Sequence, residues 1–208
     1  MAKLDLKKQF AHLYKASAKA PAMVDVPAMN FLMVDGAGDP NTAPGFQAAI
    51  ETLYGLSYTL KFGLKKRGGT DYTVMGLEGL WWAEGKESGA AFIAGERDKW
   101  KWTLMIMQPD FVTAAMVEEA REELRRRSPR RPAIDRARLE RLQEGLSAQV
   151  LHVGPYSEEH ATVERLHAFI AEGGYRLAGK HHEMYMNDPR RTAPAKLKTI
   201  LRQPVGKQ

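Results

Sequence analysis

The chain has 208 residues, 44% hydrophobic and 9% aromatic, enough apolar mass for a substantial core in one large unit or two closely packed halves. No run of about 18 apolar residues occurs, and the opening stretch with Lys3, Asp5, Lys7 and Lys8 has no apolar h-region, which makes a cytoplasmic protein without a membrane span the expectation. Cysteine is absent, so disulfides, thiolate metal sites and a cysteine nucleophile are excluded; the net charge of +6 is concentrated between Arg121 and Arg141, where nine arginines meet four acids.

Residues 1–25 are polar and weakly patterned, with a short helix expected over Leu6 to Tyr14 and a loop from Ala16 to Pro21. They are too few for a helix-turn-helix module. Met29-Asn30-Phe31-Leu32-Met33-Val34 reads as an apolar strand, ended by the turn formers from Asp35 to Pro40. Phe46, Ile50, Leu53, Leu60 and Leu64 then keep the spacing of a core-facing helical stripe, with Pro44 near the first turn and Gly68-Gly69 past the end. Tyr72 to Trp82 and Trp100 to Met107 read as two long strands, with a shorter one, Ala90 to Ala94, between them.

Residues 113–146 read as a charged helical connector. Within it, Arg125-Arg126-Arg127-Ser128-Pro129-Arg130-Arg131-Pro132 holds no aromatic on which bases could stack and is interrupted by two prolines, so a solvated link between two helices is expected rather than a nucleic-acid surface. A protein partner docking on Arg125 to Arg131 is the alternative use of this charge.

The order then repeats. Gln149 to Val153 is a strand, Gly154-Pro155-Tyr156-Ser157 a turn with Ser157 as the expected helix cap, and the next helix buries Val163, Leu166 and Ile170 before stopping at Gly173-Gly174. Leu177 to Met186 and Leu197 to Arg202 supply the last strands. Leu104 to Pro109 corresponds in position to Thr199 to Pro204. The pattern is a duplicated βαββ unit, with one copy over residues 26–112 and the other over 147–208. The expected fold is α+β: antiparallel sheets with helices on one side, a pseudo-twofold axis, and a cleft where the repeats meet.

The acid in Lys180-His181-His182-Glu183-Met184-Tyr185-Met186 is unusual for a half-buried strand. With a period of two, His181, Glu183 and Tyr185 share one face and His182, Met184 and Met186 the other. A carboxylate at such a position is buried only when paired, hydrogen-bonded or put to use, which makes Glu183 the first functional candidate. The matching element of the first copy carries Glu78, Trp81 and Trp82, with Glu78 on the face of Trp82 and opposite Trp81. A cleft collecting these groups would be aromatic and anionic, suited to a flat, apolar or cationic molecule. Blander roles compete: Glu183 could pair with Lys180 or Arg190, one tryptophan of the adjacent pair must face away, and Tyr54 and Tyr58 fit the boundary of a helix.

The stretches Val26 to Gly36, Glu78-Gly79-Leu80-Trp81-Trp82, Gly154-Pro155-Tyr156, His182-Glu183-Met184-Tyr185 and Asp188-Pro189-Arg190-Arg191-Thr192 through Val205 together span nearly the whole chain. In them the sequence resembles the GyrI-like small-molecule-binding proteins. The resemblance implies the duplicated fold shared with the effector domains of multidrug-responsive regulators, where a buried glutamate meets cationic drugs, and Glu183 looks like that glutamate. The stand-alone branch with paired tryptophans also resembles hydrolases of cyclopropanoid genotoxins, which implies a detoxifying activity. There Glu183 would be the general base and Tyr185 its catalytic neighbour, able to orient water or donate to the oxygen that gains charge. Trp81, Trp82, Glu78, Tyr156, Tyr58 and Trp102 would bind ligand, and desolvation would make the glutamate a stronger base.

A drug-sequestering or ligand-sensing protein without catalysis is the main competing reading, and modulation of gyrase through the arginine segment is a third. No cofactor or metal is expected. His181 and His182 point apart on a strand, His160 and His167 lack an acid partner set beyond Glu164, and Gly36-Ala37-Gly38-Asp39 lacks the later glycine and lysine of a nucleotide loop. A serine-hydrolase elbow is also missing.

Overall fold

The computed structural model describes residues 3–83, 96–129 and 133–207. Among them are five α-helices and nine strands: α1 (Leu6–Gln9), α2 (Ala11–Tyr14), β1 (Ala22–Val26), β2 (Met29–Ala37), α3 (Pro44–Lys66), β3 (Glu78–Ala83), β4 (Trp100–Gln108), α4 (Ala114–Arg127), β5 (Arg138–Leu142), β6 (Gly145–Val153), α5 (His160–Glu172), β7 (Tyr175–Leu177), β8 (His181–Tyr185) and β9 (Lys198–Lys207). No described helix is long and apolar enough to cross a membrane.

The long helix α3 follows from its sequence. Pro44 presets the first turn, and Leu53, Leu56, Leu60 and Leu64 form the buried stripe. Past its end, Gly68 takes φ +74, a left-handed conformation that glycine adopts without strain. At the start of α4, the Thr113 hydroxyl accepts a hydrogen bond from the Met116 amide at 3.3 Å.

The described strands all pair antiparallel, and the sheet runs β1-β6-β9-β8-β3-β4-β2-β5, with β7 added to β9. The sheet stays open. Its inner six strands read β6-β9-β8 and then β3-β4-β2, so each repeat contributes the same order and the two meet at the β8–β3 seam. Superposing Gln108-Pro109 on Gln203-Pro204 makes Met184 the counterpart of Glu78, and these two residues are direct partners across that seam. The pseudo-twofold axis therefore passes through the Glu78–Met184 pair.

The seam also sorts the side chains. Gly79, Trp81, Glu183 and His181 share one face, while Glu78, Leu80, His182 and Met184 share the other, because directly paired residues project to the same side. On the first face lie α3, whose Phe46 meets the Trp81 and Trp102 rings, and α5, whose Val163, Leu166 and Ile170 pack with Ala148, Val150 and Leu201. The short helices α1 and α2 close the second face with Leu13 and Tyr14. Helices thus cover both faces, the long ones confined to one.

Several sequence expectations need correction. The strand expected from Tyr72 begins only at Glu78; Tyr72 makes an isolated bridge to Leu4, whose amide donates to the Asp71 carbonyl at 2.9 Å and whose carbonyl accepts from Thr73 at 2.8 Å. The shorter strand expected over Ala90 to Ala94 lies outside the described residues. The connector is not helical throughout: α4 is followed by β5, an edge strand on β2 whose arginines and Glu140 keep that edge polar. Ser157 does not cap α5, which starts at His160 after a tight turn over Tyr156–Glu158. The last strands are also divided differently, with β7 separate from β8 and β9 extending to Lys207.

Candidate functional site

On the side of the seam that the long helices cover, β8 carries Glu183 and Tyr185 two residues apart, so both project to the face on which α3 and α5 lie. The Tyr185 hydroxyl donates to Glu183 Oε2 at 2.8 Å and accepts from Trp81 Nε1 at 3.2 Å. Gly79, the partner of Glu183, leaves the room this needs: a Cβ there would stand 2.8 Å from Trp81 Nε1 and 3.4 Å from the Tyr185 hydroxyl. Phe46 and Trp100 brace the Trp81 ring at centroid distances of 5.9 and 5.8 Å. Tyr156, 41% exposed, stands edge-on to Tyr185 at 5.7 Å. Glu183 is half-buried, reachable yet fixed.

A second acid serves the same space. Glu159, buried just before α5, has its carboxyl pushed up to about 9 by burial, with the negative charge of Glu183 adding to the rise. It is therefore protonated near neutrality, able to donate where Glu183 accepts. Burial and the adjoining Glu183 also push the Tyr185 phenol far up, so it stays a donor. Tyr156 rises to about 12, through burial first and Glu159 next. His181 Nε2 lies 3.6 Å from Glu183 Oε1, and the neighbouring His167 is lowered to about 4 by burial and by His181.

Sequence reasoning missed Glu159. Its position was legible in principle: Glu159, Val163, Leu166 and Ile170 follow one helical spacing, so the acid sits one turn ahead of a core-facing stripe.

The structure does not bring all the sequence candidates together. Glu78 was grouped with the cleft, but register places it on the other sheet face, 2% exposed. There it accepts from the Tyr14 hydroxyl at 2.6 Å and meets His182 Nε2 at 3.0 Å. His182 Nδ1 contacts both Glu144 carboxylate oxygens at 3.0 Å, and Arg202 Nη1 donates to Glu144 Oε2 at 2.9 Å. Arg202 also donates to the Leu13 carbonyl at 3.2 Å, and Gln149 to the His12 carbonyl at 3.1 Å, which clasps α2 to the sheet. Burial works against the His182 charge, but Glu144 and then Glu78 raise it to about 9. Burial alone would raise Glu144; His182 and Arg202 outweigh it and hold it at about 2.

Trp82 likewise points away from Trp81, with Lys180 Nζ 3.4 Å above its ring. Trp102 is core, 1% exposed, its indole laid over Gly36 and edge-on to Phe46 at 5.1 Å. Tyr58 is 45% exposed on α3, stacked between Tyr54 and Phe62 at 6.4 and 6.0 Å. In the arginine segment, Arg125 pairs with Glu122 and Asp135, and Arg126 and Arg127 pair with Glu123; Arg130 and Arg131 lie outside the described residues.

The profile of the GyrI-like small molecule binding domain matches residues 108–205. An uncharacterized conserved protein from Listeria innocua is 42% identical, with 98% of this chain and 100% of that one aligned at a TM-score of 0.89. This chain belongs to the GyrI-like small-molecule-binding family. A hydrolase from Listeria innocua is 40% identical over 98% of this chain and 100% of its own, with a TM-score of 0.85. The C-terminal domain of EcmrR aligns over 90% of this chain and 98% of its own at a TM-score of 0.56, but at 13% identity it is a likeness of fold alone. No curated protein matches the chain. A small molecule is the ligand class of this GyrI-like domain, and the aromatic, two-acid space above the seam is its candidate site.

Proposed function

We propose that this GyrI-like protein binds planar, apolar molecules against Trp81, Tyr156 and Tyr185 and hydrolyses strained carbon electrophiles of the cyclopropanoid kind. The observation that carries this reading is the fixed Trp81–Tyr185–Glu183 chain with a protonated second acid, Glu159, beside it. Two hydrolases from Listeria innocua, 40% and 41% identical, support hydrolysis as the reaction class.

In the proposed step, Glu183 takes a proton from water as the water oxygen forms a bond to a ring carbon. The strained carbon–carbon bond breaks, and its electron pair moves through the conjugated system to a carbonyl oxygen. That oxygen takes the proton of Glu159 and becomes a hydroxyl, so the product is substrate plus one water. Solvent then returns the proton from Glu183 to Glu159. Two such groups contribute about 100- to 10,000-fold each, which suits a substrate whose ring strain already lowers the barrier.

The test is product analysis by mass spectrometry with a cyclopropanoid substrate, alongside quenching of tryptophan fluorescence as an independent readout of binding. Water addition that falls about 100-fold or more in Glu183→Gln while quenching persists is the expected result. Unchanged turnover in that variant overturns the catalytic role of Glu183; quenching without any product reduces the site to binding alone.

A further inference from the structure

A cavity of about 770 Å³ lies on the sheet face opposite Glu183, between the N-terminal helices and the connection from β8 to β9. That volume is in the range of small-molecule sites. Its floor is built by register. Leu151 pairs with Ile200 and Val153 with Lys198, so an apolar floor of Leu151, Ile200 and Val153 ends at a lysine. Val153 is 47% exposed there, an apolar side chain left uncovered beside a cation.

The polar rim has one sign. Lys7 and Lys15 contribute from the N-terminal side, Lys196 and Lys198 from the opposite side, and the lining contains no aspartate or glutamate. None of these four lysines has an ion-pair partner among the described residues. The acids buried nearest this face, Glu78 and Glu144, are already taken up by Tyr14, His182 and Arg202. An apolar trough ringed by unneutralised ammonium groups complements one ligand chemistry: a long apolar body with an anionic end.

We infer that this cavity is a second binding site, for a soluble long-chain carboxylate, whose chain lies over Leu151 and Ile200 and whose carboxylate meets Lys196 and Lys198. The trough between the N-terminal helices and the β8–β9 connection suits a single elongated molecule laid along it rather than a flat membrane surface. The site shares no side chain with the Glu183 chain and stands independently of the hydrolytic reading.

The probe is dansyl-labelled undecanoate, titrated into the full-length protein and displaced by dodecanoate or, as a control, by dodecylammonium. Saturable one-to-one binding displaced by dodecanoate but not by dodecylammonium is expected. The double variant K196E/K198E should weaken binding about tenfold or more, and Val153→Asp should weaken it too, whereas Glu183→Gln should leave it unchanged. All three positions substituted in the cavity are exposed, so circular dichroism should report an intact fold. Equal displacement by dodecylammonium, wild-type affinity in K196E/K198E, or a dimer in sedimentation that the charge reversal dissociates would each overturn the inference.

Discussion

Glu183 faces Gly79 across the repeat seam and Glu78 faces Met184 one position along, so the two acids leave the same strand pair on opposite sides. That single-residue offset divides their roles. Glu78 is closed off among Tyr14 and His182, whereas Glu183 stays half-buried beside Tyr185 under the long helices. A one-residue slip of the seam would bring the two acids to the same side of the sheet.

Tyr185→Phe tests the chain that holds Glu183. The phenylalanine keeps the ring contact with Tyr156 but loses both the donor to Glu183 and the acceptor for Trp81. A hydrogen bond to a charged group contributes about 1.5–3 kcal/mol, so kcat on a cyclopropanoid substrate should fall about 10- to 100-fold with KM little changed. Steady-state kinetics checks this, and a rise in KM at constant kcat would assign Tyr185 to binding alone.

Glu159 should set the alkaline limb of the rate. Its carboxyl, raised to about 9, is the proton donor in the proposed step, so kcat should decline as pH rises through about 9 and the donor is lost. Glu159→Gln removes that limb and lowers the plateau about 100-fold. A pH–rate profile of the variant that retains the wild-type decline would locate the proton elsewhere.

Much of the architecture was legible because its signals are local. The duplication showed in the matching runs Leu104–Pro109 and Thr199–Pro204, and α3 showed in its leucine spacing. Strand alternation placed Glu183 and Tyr185 on one side of β8, as they are. Whether Glu78 and Trp82 share a side with Glu183 was not legible, since it depends on the register between β3 and β8, a pairing of residues 100 or more positions apart. The same limit hid β5, whose strand character comes from lying against β2 rather than from its arginine-rich sequence, and the clasp of α2, whose partners Arg202 and Gln149 come from the far end of the chain.

Gly36→Ala probes the packing behind Trp81. Gly36 pairs with Trp102, and a Cβ at Gly36 would come within 2.0 Å of the indole, which is pinned by Phe46 on its other side. Overpacking of this kind costs about 1–3 kcal/mol, so Tm should drop by several degrees, measurable by calorimetry. An unchanged Tm would mean that the indole has room to shift.

The buried His182 network predicts how stability depends on pH. His182 titrates near 6.5 when unfolded and at about 9 in the fold, so the native state holds a proton that the unfolded chain has released across that interval. Its contribution is complete below about pH 6.5 and is lost as pH rises through about 9, on the order of 3 kcal/mol in all. Glu159, raised from 4.5 to about 9, acts in the same direction over a wider interval, because it too binds a proton only in the fold there. Glu144 works at the other end: held at about 2, it contributes stability above about pH 4.5 that is lost as pH falls toward 2. Denaturant melts of Glu159→Gln isolate the histidine, since the variant should lose the decline between about pH 4.5 and 6.5 and keep the one between about 6.5 and 9. A flat profile across the upper interval would mean that the fold around His182 holds no proton there that the unfolded chain lacks.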